Sequence, residues 1–169
     1  LHKFSLEEDV VIGSSSEGGD AVVLRLGIRG SMTFQDVISA VQAEQVVADE
    51  HQIKFGTLMD ALRVPDSDST LCQVRFFNMV DVTPETLDAV GTCDWSVFIE
   101  QKADAKRILP LKIRVSYNAL LFSRERMVEF LNQIQKITEE VIQNNRVLVD
   151  DISVLTEVAK ARIPNPTEP

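Results

Sequence analysis

Leu111-Lys112-Ile113-Arg114-Val115-Ser116-Tyr117-Asn118-Ala119, running through Leu120-Leu121-Phe122 to Ser123 and on to Ile142, decides the fold. Leu111, Ile113, Val115, Tyr117 and Ala119 alternate with Lys112, Arg114, Ser116 and Asn118, the period of a strand with one buried face. Beyond Ser123 the apolar residues Met127, Phe130, Leu131, Ile134, Ile137, Val141 and Ile142 recur every three or four positions, as on one side of a long helix ending near Asn144. Thr138 is the polar member of that stripe, and its methyl can still pack. Ser123 stands where the period changes and predicts an N-cap. A strand feeding a helix that lies back on the sheet is a framework, so the chain is expected to be α/β or α+β, with helices packed on a mixed sheet.

Outward from this stretch the chain alternates in the same manner. Asp9 to Gly13 reads as a short strand, and Ser14 to Gly19 as the polar loop that ends it. That loop is glycine-rich, but it matches no phosphate-binding pattern, and Glu17 and Asp20 would repel an anion. Ala21 to Ile28 predicts a strand with Val22, Leu24 and Leu26 on one face, broken by Gly30 and Ser31. Thr33 to Asp36 predicts a capped helix start, with an apolar face of Phe34, Val37, Ile38, Val41, Val46 and Val47 reaching about His51. A shorter helix spans Phe55 to Leu62, and Pro65 to Ser69 is a loop.

Leu71 to Val80 returns to period two, with large apolar groups on both faces, which predicts an interior strand covered on both sides. Thr83-Pro84-Glu85 opens a short helix closed by Gly91. Trp95 to Gln101 and Ile108 to Leu120 form an expected antiparallel pair joined by a charged turn. Val147-Leu148-Val149 precedes a final amphipathic turn, Ile152 to Ala161, whose helical pattern Asp150 or Asp151 is expected to cap.

Composition bounds the function. The 169 residues are 44% hydrophobic, enough for one sizeable core. Seventeen basic against 26 acidic residues give a net charge of -9, which argues against a nucleic-acid partner. No apolar run approaches the ~18 residues of a membrane span and no signal segment opens the chain, so no membrane association is expected and the cytoplasm is the expected location. Cys72 and Cys93 form no CxxC and lie near no histidine pair; they read as small buried hydrophobes in a reducing compartment. Leu1 to Phe4 reads as the tail of a preceding helix. Ile163 to Pro169, with three prolines, reads as an extended linker, so residues 1–162 are the expected domain portion and 163–169 the linker of a longer polypeptide.

Candidate chemistry is sparse. His51, beside Asp49 and Glu50, reads as a helix-end residue rather than a general base, and His2 lies near the terminus. Trp95, Phe98, Phe76 and Phe77 fall within strands and read as core. No catalytic, cofactor-binding or metal-ligating residue is assigned.

Four stretches together resemble the C-terminal half of a condensation domain of the nonribosomal peptide synthetase type, a relative of the chloramphenicol acetyltransferase fold. They are Asp9 to Gly13 with Val22 to Arg25, Glu50 to Phe55 with Leu58, Ser69 to Phe76, and Val115 to Ser123. Lys54 stands where that family has proline and Cys72 where it has phenylalanine, and the stretch before Leu24 lacks the usual glycine-x-phenylalanine-valine-asparagine. The resemblance implies that the catalytic H-H-x-x-x-D-G motif lies upstream of Leu1, that this half supplies one wall of the acyl-transfer channel, and that Asp9 to Arg25 crosses over onto its partner half.

Ile163 to Thr167 resembles the junction between the condensation-like and adenylation domains of the fungal L-2-aminoadipate reductase family. This resemblance implies a non-catalytic scaffold in a lysine-biosynthetic enzyme. That enzyme's other domains use ATP with magnesium, phosphopantetheine and NADPH. Its implied partners are the N-terminal half, the adenylation domain and a carrier domain. An active amide-forming condensation domain and an unrelated interaction module remain the alternatives.

Overall fold

The computed structural model describes residues 1–15, 21–51, 55–62, 72–78, 93–100 and 111–161. Five strands, β1 (Asp9–Ser15), β2 (Ala21–Gly27), β3 (Val74–Asn78), β4 (Trp95–Glu100) and β5 (Lys112–Tyr117), form one sheet in the order β2-β1-β3-β4-β5. The outer pairs β1/β2 and β4/β5 are antiparallel, whereas β1/β3 and β3/β4 are parallel. The sheet is therefore mixed, as expected. The helices are α1 (His2–Ser5), α2 (Phe34–Glu50), α3 (Phe55–Leu62), α4 (Arg124–Gln143) and α5 (Glu157–Lys160).

The organising stretch folds largely as its pattern requires. Ser123 caps α4, its hydroxyl accepting from the Arg126 amide at 3.2 Å. Trp95 of β4 meets Phe130 of α4 edge to face, with ring centroids 4.3 Å apart, which fixes the helix on the sheet. The strand stops earlier than the alternation suggests. Asn118 takes the chain out of β5 by accepting the Leu121 and Phe122 amides on its carbonyl and the Leu120 amide on its side chain, all at 3.0 Å. Leu120 is 94% exposed as a result.

The α2 side of the core is a cluster of Val10, Leu26, Ile28 and Val149, against which Ile12, Met32, Val37 and Val41 pack. Thr33 and Asp36 close a full capping box: the Thr33 hydroxyl accepts the Asp36 amide, and the Asp36 carboxylate accepts the Thr33 amide at 2.9 Å. Val22, Leu24 and Leu26 all point inward from β2, as their spacing predicts.

Several expectations are corrected. Val46 and Val47 do not continue the apolar face of α2, since both are more than half exposed, and Ile142 at the end of α4 is likewise exposed. Gln133 on α4 is buried instead, although no apolar period marked it. β3 is interior to the sheet, but only its Arg75 and Phe77 side is closed; Phe76 and Asn78 on the other side are exposed. β1 and β2 pair antiparallel in continuous register from Asp9↔Gly27 to Ser15↔Ala21, so both strands belong to this sheet.

The expected final amphipathic turn is helical only over Glu157–Lys160. Residues 152–156 lack helical structure because α4 holds them: Lys136 Nζ donates to the Leu155 carbonyl and lies 3.4 Å from the Ser153 hydroxyl. Thr156, rather than Asp150 or Asp151, caps the remaining turn by accepting the Ala159 amide at 3.1 Å. Asp150 sits against Gly30, its amide donating to the Gly30 carbonyl at 3.0 Å. The expected helix after Thr83, the turn joining β4 to β5 and the proline-rich tail lie outside the described residues.

Candidate functional site

The face of the sheet turned away from α2 and α4 carries two buried polar groups among the described residues, Arg75 and Ser96. Register places Gly13 of β1, Arg75 of β3, Ser96 of β4 and Ser116 of β5 in one row. Two residues further on, Phe77 and Phe98 stack with centroids 5.4 Å apart, and the Arg114 guanidinium lies 4.8 Å above the Phe98 ring. Arg75, Phe77, Ser96 and Phe98 are all buried.

Gly13 makes this row possible. A Cβ at that position would stand 2.9 Å from Arg75 Cγ and 3.5 Å from Cys72 Cβ, so only a bare Cα lets the arginine stem pass. Burial lowers the Arg75 pKa, an effect that the neighbouring Cys93 and Cys72 thiols partly oppose. Burial likewise raises the Cys72 thiol, opposed by Arg75 and reinforced by Cys93. Cys93 Sγ and Ser96 Oγ are 2.9 Å apart.

These groups can bind or brace, but among the described residues the cluster brings no base to a nucleophile. An activated hydroxyl or thiol needs a proton acceptor at hydrogen-bond distance. Both histidines are occupied elsewhere: His51 Nδ1 lies 3.0 Å from the Val47 carbonyl of its own helix end, and His2 Nδ1 lies 2.8 Å from the Glu7 carbonyl. Arg75 is no base at neutral pH. Trp95, Phe98 and Phe77 take packing positions, as expected, whereas Phe76 is 40% exposed. Asp150 and Asp151 approach no histidine or cysteine by hydrogen bond. Among the described residues no group of three or more His, Cys, Asp or Glu could hold a metal ion.

Two of the clefts among the described residues adjoin the sheet. One, of about 240 Å³, is apolar and runs between Val10, Leu26 and Ile28 on the sheet and Val37, Val41 and Ile137 on the helices. The other, of about 400 Å³, opens at the start of β1 and β3 beside Glu7, Asp9, Cys72 and Gln73. The Asp9 carboxylate there is held by Arg25 Nη2 at 2.8 Å, which lowers its pKa. Gln133 and Arg75 are the polar groups that periodicity missed. For Arg75 the one available signal was a charge among Cys72, Val74, Phe76 and Phe77.

This mixed sheet with helices packed on it has the fold of one part of a condensation domain. The chain matches the first condensation domain of the CDA synthetase with a TM-score of 0.69 at 15% identity, over 92% of this chain and 40% of that one. It matches the X-domain from teicoplanin biosynthesis with a TM-score of 0.70 at 17% identity, over 89% of this chain and 40% of that one. In sequence it is similar to the L-2-aminoadipate reductase of Schizosaccharomyces pombe, 25% identical over 95% of this chain and 12% of that protein. It is also similar to bacitracin synthase 1 of Bacillus licheniformis, 24% identical over 96% of this chain and 4% of that protein. The chain thus spans only a small part of the curated relatives it matches, and no family model matches it. The resemblance read from the sequence is borne out, and coverage of about two-fifths of the solved domains fits one half of such a domain. No helix among the described residues is long and apolar enough to cross a membrane.

Proposed function

We propose that this chain is a non-catalytic scaffold segment of a multidomain L-2-aminoadipate reductase, the C-terminal half of a condensation-like domain standing before an adenylation domain. The observation that carries this reading is the likeness to the S. pombe reductase over 95% of the chain. The contacts around Arg75 agree with it, because among the described residues the Cys93 thiol and the Ser96 hydroxyl bond each other and both histidines bond backbone carbonyls elsewhere.

In this reading the N-terminal half covers part of the surface, and the adenylation and carrier domains follow. Adenylation with ATP and magnesium, loading on phosphopantetheine and reduction by NADPH take place on those other domains, in the cytoplasm, on the way to lysine. Nucleic acid is not a partner, in keeping with the charge of -9. The second reading, an amide-forming condensation domain, is favoured by the likeness to bacitracin synthase 1.

The test uses the full-length polypeptide supplied with L-2-aminoadipate, ATP and NADPH. The expected products are the semialdehyde and NADP, with no amide between carrier-bound substrates by mass spectrometry. Ser96→Ala is expected to change the rate by less than about twofold. Amide formation, or loss of turnover in Ser96→Ala with an unchanged melting curve, overturns the scaffold reading.

A further inference from the structure

We propose that Cys72 and Cys93 are a redox-responsive pair that closes into a disulfide under peroxide, tying the starts of the two central parallel strands together. The pair ladder between β3 and β4 begins at Val74↔Trp95. Cys72 and Cys93 each stand two residues before that first pair, preceding bends at Gln73 and Asp94. The backbones stay joined there, with the Asp94 and Trp95 amides donating to the Gln73 carbonyl at 3.0 and 3.3 Å. Neighbouring strands lie about 4.8 Å apart, inside the roughly 4.4–6.8 Å Cα separation that a disulfide spans. Both lie on the Arg75 side of the sheet: Cys72 Cβ is 3.5 Å from where a Gly13 Cβ would stand beside the Arg75 stem, and Cys93 Sγ is 2.9 Å from the hydroxyl of Ser96, the register partner of Arg75. Both thiols are free, so the structure shows the reduced form.

The two positions have different roles. Cys72 is 1% exposed whereas Cys93 is only partly buried, so an oxidant reaches Cys93 first. The Cys93 thiolate attacks one oxygen of hydrogen peroxide, the O–O bond breaks, and the hydroxide leaving takes up the thiol proton as water. Cys93 is then a sulfenic acid. The Cys72 sulfur attacks the Cys93 sulfur, the S–O bond breaks, and the departing hydroxide takes the Cys72 proton as a second water. The two sulfurs lose two electrons in all, and the peroxide gains them. To bond Cys72, Cys93 Sγ leaves the Ser96 hydroxyl, 2.9 Å away, and the Trp95 carbonyl, to which it donates at 3.5 Å.

This inference does not rest on the proposed function. The full-length polypeptide is treated with hydrogen peroxide, alkylated in denaturant, digested and analysed by peptide mass spectrometry. The expected result is loss of both thiols to one cross-linked peptide pair containing Cys72 and Cys93, restored by dithiothreitol. In Cys72→Ser, a dimedone adduct is expected on Cys93 in its place; in Cys93→Ser, Cys72 is expected to remain a thiol. Full alkylation of both residues after peroxide, or Cys93 sulfinic acid beside an intact Cys72 thiol in the unsubstituted protein, overturns the proposal.

Discussion

Gly13 and Arg75 face each other across the bridge between β1 and β3, and the arginine stem runs over the glycine where a side chain would otherwise stand. The glycine that ends the Asp9-Val10-Val11-Ile12-Gly13 motif is therefore a packing requirement of a buried guanidinium. Gly13→Val is expected to force Arg75 Cγ and Cys72 Cβ aside and to destabilise the chain by about 1–3 kcal/mol. A lowered urea midpoint with an unchanged m-value would show it. A midpoint equal to that of the unsubstituted chain would mean that Arg75 has another path.

The start of α2 depends on the reciprocal bonds of Thr33 and Asp36. Thr33→Ala leaves the Asp36 amide without its acceptor and is expected to cost about 0.5–2 kcal/mol, read by urea denaturation. Thr33→Ser keeps the oxygen and is expected to stay close to the parent.

Acid weakens the fold through four carboxylates. Asp36 is held below its ordinary pKa of 3.8 by the Thr33 hydroxyl and amide, and Asp9 by the Arg25 guanidinium. Glu157 is held below 4.5 by Lys160, and Glu125 by its own amide and the Ser123 hydroxyl. Each binds its proton less readily folded than unfolded, so its stabilisation is present above those ordinary values and is lost as the pH falls through the lower folded ones. The urea midpoint is expected to hold from neutral pH to about 5 and to drop below about 4. Asp36→Asn is expected to make that drop smaller, and an equal drop would remove Asp36 from the set.

Thr156 holds the final turn by two bonds, accepting from the Ala159 amide and donating to Glu129 of α4. Thr156→Val keeps the shape and removes both, at an expected cost of about 1–3 kcal/mol. Hydrogen exchange at residues 157–160 is expected to speed up while the amides of β4 and β5 keep their protection. Uniform loss of protection would instead mean that the turn and the sheet unfold together.

The chain's one tryptophan reports on its main helix contact, because Trp95 is the ring that Phe130 meets. Phe130→Leu is expected to red-shift Trp95 emission and to cost about 0.5–1.5 kcal/mol beyond the lost area. Unchanged emission would place the anchoring of α4 elsewhere.

Local chemistry alone determined most of the elements. Alternation defined β2 and β5, the three-and-four spacing defined α4, and Ser123 and Thr33 announced their caps through hydroxyls placed three residues before the amides they accept. These signals survive without tertiary context because each is satisfied within one turn or one strand. The strand order β2-β1-β3-β4-β5 and the closure of β1 on β2 were decided only by the folded chain, since pairing joins residues whose separation leaves no mark in the pattern. The same holds where a neighbour overrules the local preference: Lys136 reaches across to the Leu155 carbonyl and helps keep residues 152–156 out of the helix that their spacing suggests. Arg75 is the sharpest case, because its burial depends on a missing side chain sixty-two positions earlier, at Gly13.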